Sequence, residues 1–139
     1  MGGINVGRVI LGGLLAGLVI NISETILNLV VVAKDMEDAF RALNMPPLGT
    51  GPIMGFVASS FVVGIALIWL YAAIRPRFGA GPKTAVIAGL TVWFFAYLYA
   101  AFGMALMNLF PVKVMLITTI WGLPEVVLAA AAGAWLYQE

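Results

Sequence analysis

The sequence predicts an all-α integral membrane protein, a bundle of four transmembrane helices. Apolar residues make up 63% of the 139-residue chain and charged residues only 9%, whereas a soluble domain carries about 25% charged residues. The mean hydropathy is +1.10. Four stretches are long and apolar enough to cross a hydrocarbon core about 30 Å thick. Most of the outer surface is therefore expected to face lipid rather than water.

The four predicted spans form a single transmembrane domain, residues 1–139, and cover residues 5–33, 52–74, 84–110 and 112–137. Polar or Pro/Gly-rich breaks separate them and indicate turns. The break from Arg75 to Lys83 is the clearest. The turn around Pro111 is short, so the last two spans are expected to be antiparallel neighbours.

One short segment outside the spans, residues 34–45, also has a helical pattern. Met36, Ala39, Phe40 and Leu43 recur at helical spacing, with charges on the other face. The two prolines that follow stop a helix. We expect a short helix lying on the membrane surface; the alternative is a lid or an element that docks a partner.

Basic residues predict the orientation. With four spans, both termini and the loop between the second and third spans share one side of the membrane. That side carries Arg8, Arg75, Arg77 and Lys83, and the other side carries Lys34, Arg41 and Lys113. Cytoplasmic loops are enriched in basic residues. We therefore expect a multi-pass protein of a bacterial inner (plasma) membrane with both termini in the cytoplasm.

The composition also excludes several kinds of chemistry. The chain has no cysteine and no histidine, so disulfides, imidazole-ligated haem and the usual zinc sites are excluded. We expect no cofactor, no metal site and no catalytic residue. The net charge of +1 indicates no nucleic-acid partner. The expected partners are the lipid bilayer, other membrane protein subunits or further copies of this chain.

Two carboxylates, Glu24 and Glu125, lie inside predicted spans. An acidic residue at the centre of a spanning helix costs about 3 kcal/mol, and such residues usually face the bundle interior. No basic residue is predicted at either depth, so we expect at least one of the two to be protonated at neutral pH. The alternative is that both are hydrogen-bonded groups that hold helices in register. Counting residues places them about 9 Å apart in depth, too far to share a proton.

The first span carries a stripe of small and polar residues. Gly17, Asn21, Glu24 and Asn28 are spaced by four, three and four, with Gly13 at the start of the stripe. Gly13 and Gly17 allow close helix packing, which we predict against Gly133 and the neighbouring alanines of the fourth span. The polar residues are then expected to line the interior.

In the fourth span, Pro124 directly precedes Glu125, and a proline inside a helix tends to kink it. The candidate polar or proton site is therefore Glu24, Asn21, Asn28 and Glu125. The candidate helix-packing residues are Gly13, Gly17, Pro124 and Gly133.

A faint internal repeat divides the chain into two similar helical hairpins. The segment from Arg8 to Leu14 resembles the segment from Lys83 to Leu90, with one inserted residue. The second helix of each pair ends in Trp-Leu-Tyr, at 69–71 and at 135–137. Such hairpins would be related by an axis along the membrane normal.

Two classes of function follow from these observations. The first is a non-enzymatic structural or accessory subunit that packs with other membrane proteins, itself or lipid. The alternative is a small proton- or cation-coupled transporter that uses an intramembrane glutamate. A carboxylate in the first helix of a short four-helix chain is similar to small multidrug-resistance transporters, but Glu24 lies later in its helix and the rest of that pattern is missing.

Overall fold

The computed structural model describes residues 3–138, which are 85% helical and contain no strand. The α-helices are α1 Val6–Ile26, α2 Ala33–Ala42, α3 Thr50–Phe78, α4 Pro82–Trp93, α5 Tyr99–Leu106 and α6 Val112–Leu136. A π-helical turn, Leu27–Val31, continues α1, and a second one, Phe94–Leu98, joins α4 to α5. Four continuous helices, Val6–Val31, Thr50–Phe78, Pro82–Leu106 and Val112–Leu136, are long and apolar enough to cross a membrane, and we number them spans 1 to 4. The predicted four-helix bundle is confirmed.

Two helix ends differ from the sequence-based bounds. Span 2 continues through Pro76 to Phe78, and span 3 ends at Leu106. Asn108 has a φ of 53°, and Leu109 N donates to the Met104 carbonyl at 3.2 Å. This is a Schellman ending, in which a left-handed residue, here asparagine, closes the helix. Hydropathy could not reveal the end because the residues beyond it are also apolar.

The turn between spans 2 and 3 is tight because two glycines adopt positive φ. Gly79 has a φ of 89° and Gly81 a φ of 124°, conformations that side-chain-bearing residues rarely adopt. Pro82 then occupies the first turn of α4, where its missing N–H is not needed. The turn brings spans 2 and 3 together as antiparallel neighbours.

Close packing in the half of the bundle that holds the termini depends on glycine. A Cβ on Gly12 would meet the carbonyl oxygen of Gly133 at 2.5 Å, so spans 1 and 4 touch backbone to backbone there. Gly13 and Gly17 pack instead against span 2, where Gly64 lies between them. The prediction that Gly13 and Gly17 face span 4 is therefore wrong. Consecutive residues lie about 100° apart around a helix, so Gly12 and Gly13 face different neighbours.

The core lies in that same half. Its fully buried residues are small or aliphatic, and include Ala16, Leu67, Ile68, Ala88, Val126, Ala129 and Ala130. Toward the other end the bundle is more open, and large apolar side chains such as Phe56, Phe95 and Leu106 are more than 60% exposed. Such exposure fits a lipid environment.

The short helix α2 lies at this open end, beside the start of span 4. Phe40 contacts Phe110 with ring centroids 6.3 Å apart, and Lys113 Nζ lies 3.6 Å from an Asp35 carboxylate oxygen. Asn44, with a φ of 54°, ends α2 with the same Schellman geometry as Asn108. The helix is therefore tied to the beginning of span 4.

Candidate functional site: a buried carboxyl pair

Glu125 is the most deeply buried acidic residue in the described part of the chain, with 3% of its surface exposed. One carboxylate oxygen, Oε2, accepts a hydrogen bond from the Tyr97 hydroxyl at 2.7 Å. The other, Oε1, has no hydrogen-bond donor among residues 3–138. A buried polar atom without a partner costs about 1–3 kcal/mol, and more when it is charged. This oxygen is the feature of the site that requires an explanation.

Tyr97 reaches Glu125 because Gly122 leaves room for its ring. A Cβ on Gly122 would overlap the Tyr97 ring, and Gly122 lies three residues before Glu125, on the same face of span 4. Tyr97 itself belongs to the π-helical turn Phe94–Leu98. The wider turn changes which residues face span 4, and π-helical turns are frequent at functional sites.

Glu24 of span 1 interacts with the Glu125 carboxyl, and so does the Ser23 hydroxyl beside it. The depth difference of about 9 Å predicted from the sequence is too large to describe this pair, for two reasons. Gly12 is level with Gly133, which reduces the axial offset between Glu24 and Glu125 to about 6 Å at 1.5 Å per residue.

The second reason is the direction in which helical side chains point. Each Cα–Cβ bond tilts toward the N-terminus of its helix. Spans 1 and 4 are antiparallel, so Glu24 leans toward the level of Glu125 while Glu125 leans toward the level of Glu24. The remaining offset is within the reach of two glutamate side chains.

Two tryptophan donors fix the helices around this pair. Trp121 Nε1 donates to Ser23 Oγ at 2.9 Å, which joins span 4 to span 1. Trp93 Nε1 donates to the Thr119 carbonyl oxygen at 2.8 Å, which joins span 3 to span 4. Both bonds lie within two turns of Glu125, so they join spans 1, 3 and 4 close to the carboxyl pair.

The asparagines of the predicted stripe have different roles. Asn21 Nδ2 donates to the Val57 carbonyl of span 2 at 3.4 Å and is half-buried. Asn28 is exposed, and its Nδ2 donates to the Glu24 backbone carbonyl at 2.8 Å and to Glu24 Oε2 at 3.2 Å. The expectation that all of these residues line the interior is therefore wrong for Asn28. The stripe turns outward there because span 1 passes into its π-helical turn at Leu27.

Pro124 is exposed, and span 4 continues through it without a break. Its ring lies on the outside of the bundle while the next side chain, Glu125, points inward. Because proline cannot donate a backbone hydrogen bond, the backbone next to Glu125 is less strongly held than the rest of the helix.

The arrangement has the chemistry of a proton or small-cation site. Two carboxyls from different spans meet, with a tyrosine and a serine hydroxyl beside them. No group of three or more acidic, histidine or cysteine residues that could hold a metal ion occurs among residues 3–138. No protein-family model, curated protein or solved structure matches this chain.

Sequence reasoning missed Gly122 and the two tryptophan donors as parts of the site, and it did not assign Tyr97 to Glu125. Span 3 carries aromatic residues around most of its circumference, so their pattern does not single out Tyr97. The available signal was the spacing of Gly122 and Glu125, because a glycine one turn before a buried carboxyl leaves space for an aromatic donor.

Proposed function

We propose that this chain is a small proton- or monovalent-cation-coupled membrane transporter that uses the Glu24–Glu125 carboxyl pair. The observation that carries this proposal is the buried Oε1 atom of Glu125, which has no donor among the described residues. An intramembrane carboxyl without a basic partner is typical of ion and proton pathways. A purely structural glutamate would be expected to have both oxygens satisfied.

The surroundings of the pair support this proposal, because they differ between its two sides. Toward the open end, the pair continues through Glu24 to the exposed amide of Asn28. Toward the termini, Val126, Ala129 and Ala130 are fully buried and apolar. A site with a polar approach on one side and a packed apolar barrier on the other is what one state of an alternating-access carrier requires.

The helices that meet at the pair also contain the weak points that a conformational change needs. Tyr97 lies in a π-helical turn and Glu125 follows Pro124, and such positions interrupt the regular backbone hydrogen bonds of a helix. A small movement of span 3 or span 4 would therefore change the contacts of the carboxyl pair.

The second candidate function is a structural or accessory subunit, and one observation favours it. Gly51 and Gly55 of span 2 have open space next to them, and a shallow groove lined by Pro52, Gly55, Phe56 and Ser59 runs along the same surface. Small residues one turn apart allow a further helix to pack closely. Under either proposal the chain is not an enzyme, because neither carboxyl is paired with a nucleophile.

We also propose that both termini lie in the cytoplasm of a cell with this protein in its inner (plasma) membrane. Arg8, Arg75, Arg77 and Lys83 all belong to the end of the bundle that holds the termini. This enrichment follows the positive-inside rule.

Flux through reconstituted vesicles tests the transport proposal. Vesicles containing wild-type protein are given an inward proton gradient or an inward sodium gradient, and the internal ion concentration is followed. We expect a flux above that of empty vesicles for one of the two ions. Glu125→Gln, which keeps the size of the side chain but cannot ionise, should reduce this flux at least about tenfold, equivalent to about 1.4 kcal/mol.

The matched control is Glu37→Gln, because Glu37 is an exposed carboxylate of α2 that pairs with Arg41. This variant should keep the wild-type flux. If wild-type vesicles carry neither ion faster than empty vesicles, the transport proposal is wrong and the accessory role becomes the better account.

A further inference from the structure

We propose that Glu24 and Glu125 share a single proton, so that the ion bound at this site is a proton rather than a metal cation. This inference rests on the proposed function, because it names the ion that the proposed transport site binds. Its evidence and its test concern binding alone, and neither requires transport.

The carboxyls of Glu24 and Glu125 bring two like charges together. Glu125 is almost fully buried, and the ionisable groups that face it are Glu24 of span 1 and Tyr97 of span 3, with the Ser23 hydroxyl nearby. Span 2 presents no ionisable side chain at this depth, since its nearest polar residues are Ser59 and Ser60. Two ionised carboxylates in contact at low dielectric repel strongly.

No basic residue relieves this repulsion. The chain has no histidine. Lys113 lies in the same helix as Glu125 but twelve residues away, about 18 Å along the axis, and is paired with Asp35. Lys34 lies ten residues after Glu24, beyond the end of span 1, and Arg8 lies sixteen residues before it in α1, about 24 Å along the axis. The pair must therefore be neutralised by an ion that it binds.

Oε1 of Glu125 lacks a hydrogen-bond donor. A carboxylate only accepts hydrogen bonds, whereas a protonated carboxyl also donates one. The Ser23 hydroxyl lies beside the Glu125 carboxyl but forms no hydrogen bond to Oε1, and with both groups ionised Glu24 offers no hydrogen to it. One proton placed between the two carboxyls supplies that hydrogen and removes one of the two negative charges. A single bound proton thus accounts for both unusual features of the site.

Three oxygens of the site already accept hydrogen bonds. Oε2 of Glu125 accepts from Tyr97, Oε2 of Glu24 accepts from Asn28, and the Ser23 oxygen accepts from Trp121. Hard metal cations are typically surrounded by six or more oxygens. Few oxygens are left for a metal, whereas a proton needs only two.

Infrared spectroscopy of the purified protein in lipid tests the inference. A protonated carboxyl has a C=O stretching band that is separate from those of ionised carboxylates and of the backbone amides. At a pH where exposed carboxyls are ionised, the wild-type protein should show this band with an intensity of one carboxyl per chain. Changing sodium for potassium should leave the intensity unchanged.

The decisive variant is Glu24→Gln. Its amide can donate to Oε1 of Glu125 without carrying charge, so the band should disappear at a lower pH than in the wild-type protein. Burial alone also disfavours an ionised Glu125, so the quantity to compare is the pH at which the band is lost. Glu125→Gln should remove the band. Tyr97→Phe removes the donor to Oε2 and should shift the band, whereas the control Glu37→Gln should leave it unchanged.

Three results would overturn the inference. The wild-type band is absent, or sodium abolishes it, or the band disappears at the same pH in Glu24→Gln as in the wild-type protein. The last result would mean that Glu125 holds a proton by itself. Because Glu24 is only half-buried, its variant can be studied even if Glu125→Gln does not fold. If sodium drives flux but the wild-type protein shows no band, this inference is wrong while the transport proposal stands.

Discussion

Tyr71 and Tyr137 meet edge to face at the end of the bundle that holds the termini, with ring centroids 6.0 Å apart and planes at 83°. Each hydroxyl accepts a hydrogen bond from the backbone where another span begins. Tyr71 accepts from Gly81 N at 3.1 Å, and Tyr137 accepts from Asn5 N at 3.2 Å. Tyr71 of span 2 therefore binds the start of span 3, and Tyr137 at the end of span 4 binds the start of span 1. The two predicted hairpins thus contact each other in the same way.

These two contacts are equivalent when the first helices of the two hairpins are aligned without a gap on Gly13 and Gly89. Gly81 precedes Gly89 by the same number of residues as Asn5 precedes Gly13, and both tyrosines end a Trp-Leu-Tyr segment. The tyrosine pair therefore lies where an axis relating the two hairpins would pass. The carboxyl site does not follow this symmetry, because the position equivalent to Glu125 in span 2 is Ser59.

Removing either tyrosine hydroxyl should have a similar effect on stability. Tyr71→Phe and Tyr137→Phe each lose one hydrogen bond, so each should lower the free energy of unfolding by about 0.5–1.5 kcal/mol. Denaturation in detergent, followed by circular dichroism, measures the change. Tyr99→Phe is the control, because Tyr99 is 69% exposed and should show no change. An equal loss in the control would contradict this role.

Adding a methyl group at Gly64 should destabilise the bundle. A Cβ there would meet the backbone of Gly13 and Gly17, and backbone atoms cannot move aside easily. Gly64→Ala should cost about 1–3 kcal/mol, the usual range for overpacking. The control Gly55→Ala has open space around it and should be neutral or slightly stabilising. Equal stability of the two variants would show that spans 1 and 2 are not in close contact.

Tyr97→Phe and Gly122→Ala should have the same effect on transport. The first removes the donor to Glu125 Oε2, and the second forces the Tyr97 ring away from it. A hydrogen bond to a carboxylate contributes about 1.5–3 kcal/mol, so flux in vesicles should change by about tenfold or more in both. Gly103→Ala, with open space beside it, is the control. A change of flux in only one of the two variants would contradict the proposed packing of the Tyr97 ring against Gly122.

The orientation can be tested by labelling, because the chain has no cysteine. A membrane-impermeant thiol reagent applied to intact cells should label Glu37→Cys in α2. It should label Gln138→Cys, at the other end of the bundle, only after the membrane is permeabilised. The reverse pattern would place the termini outside the cell. Labelling of both positions in intact cells would be incompatible with the three spans that separate them.

The sequence was sufficient to predict the four spans because each exceeds the length of the hydrocarbon core and most charges fall at or beyond the ends of the spans. It also identified Glu24 and Glu125, since an acidic residue in an apolar span is conspicuous. It could not predict that they meet. Their contact depends on which glycine of span 1 is level with Gly133, and on the lean of side chains in antiparallel helices.

The partner of Glu125 was also beyond prediction from sequence. The π-helical turn Phe94–Leu98 shifts the faces of span 3, and regular helical spacing does not describe such a turn. The same applies to Asn28, which lies in the π-helical turn after α1. Local departures from the regular helix therefore decide the geometry of this site.

The decisive measurement is the pH at which the protonated-carboxyl infrared band disappears in the wild-type protein and in Glu24→Gln. If the two glutamates share one proton, the wild-type protein shows the band and loses it at a higher pH than Glu24→Gln, while Glu37→Gln behaves like the wild-type protein. Loss of the band at the same pH in Glu24→Gln, or no band in the wild-type protein, would contradict a shared proton.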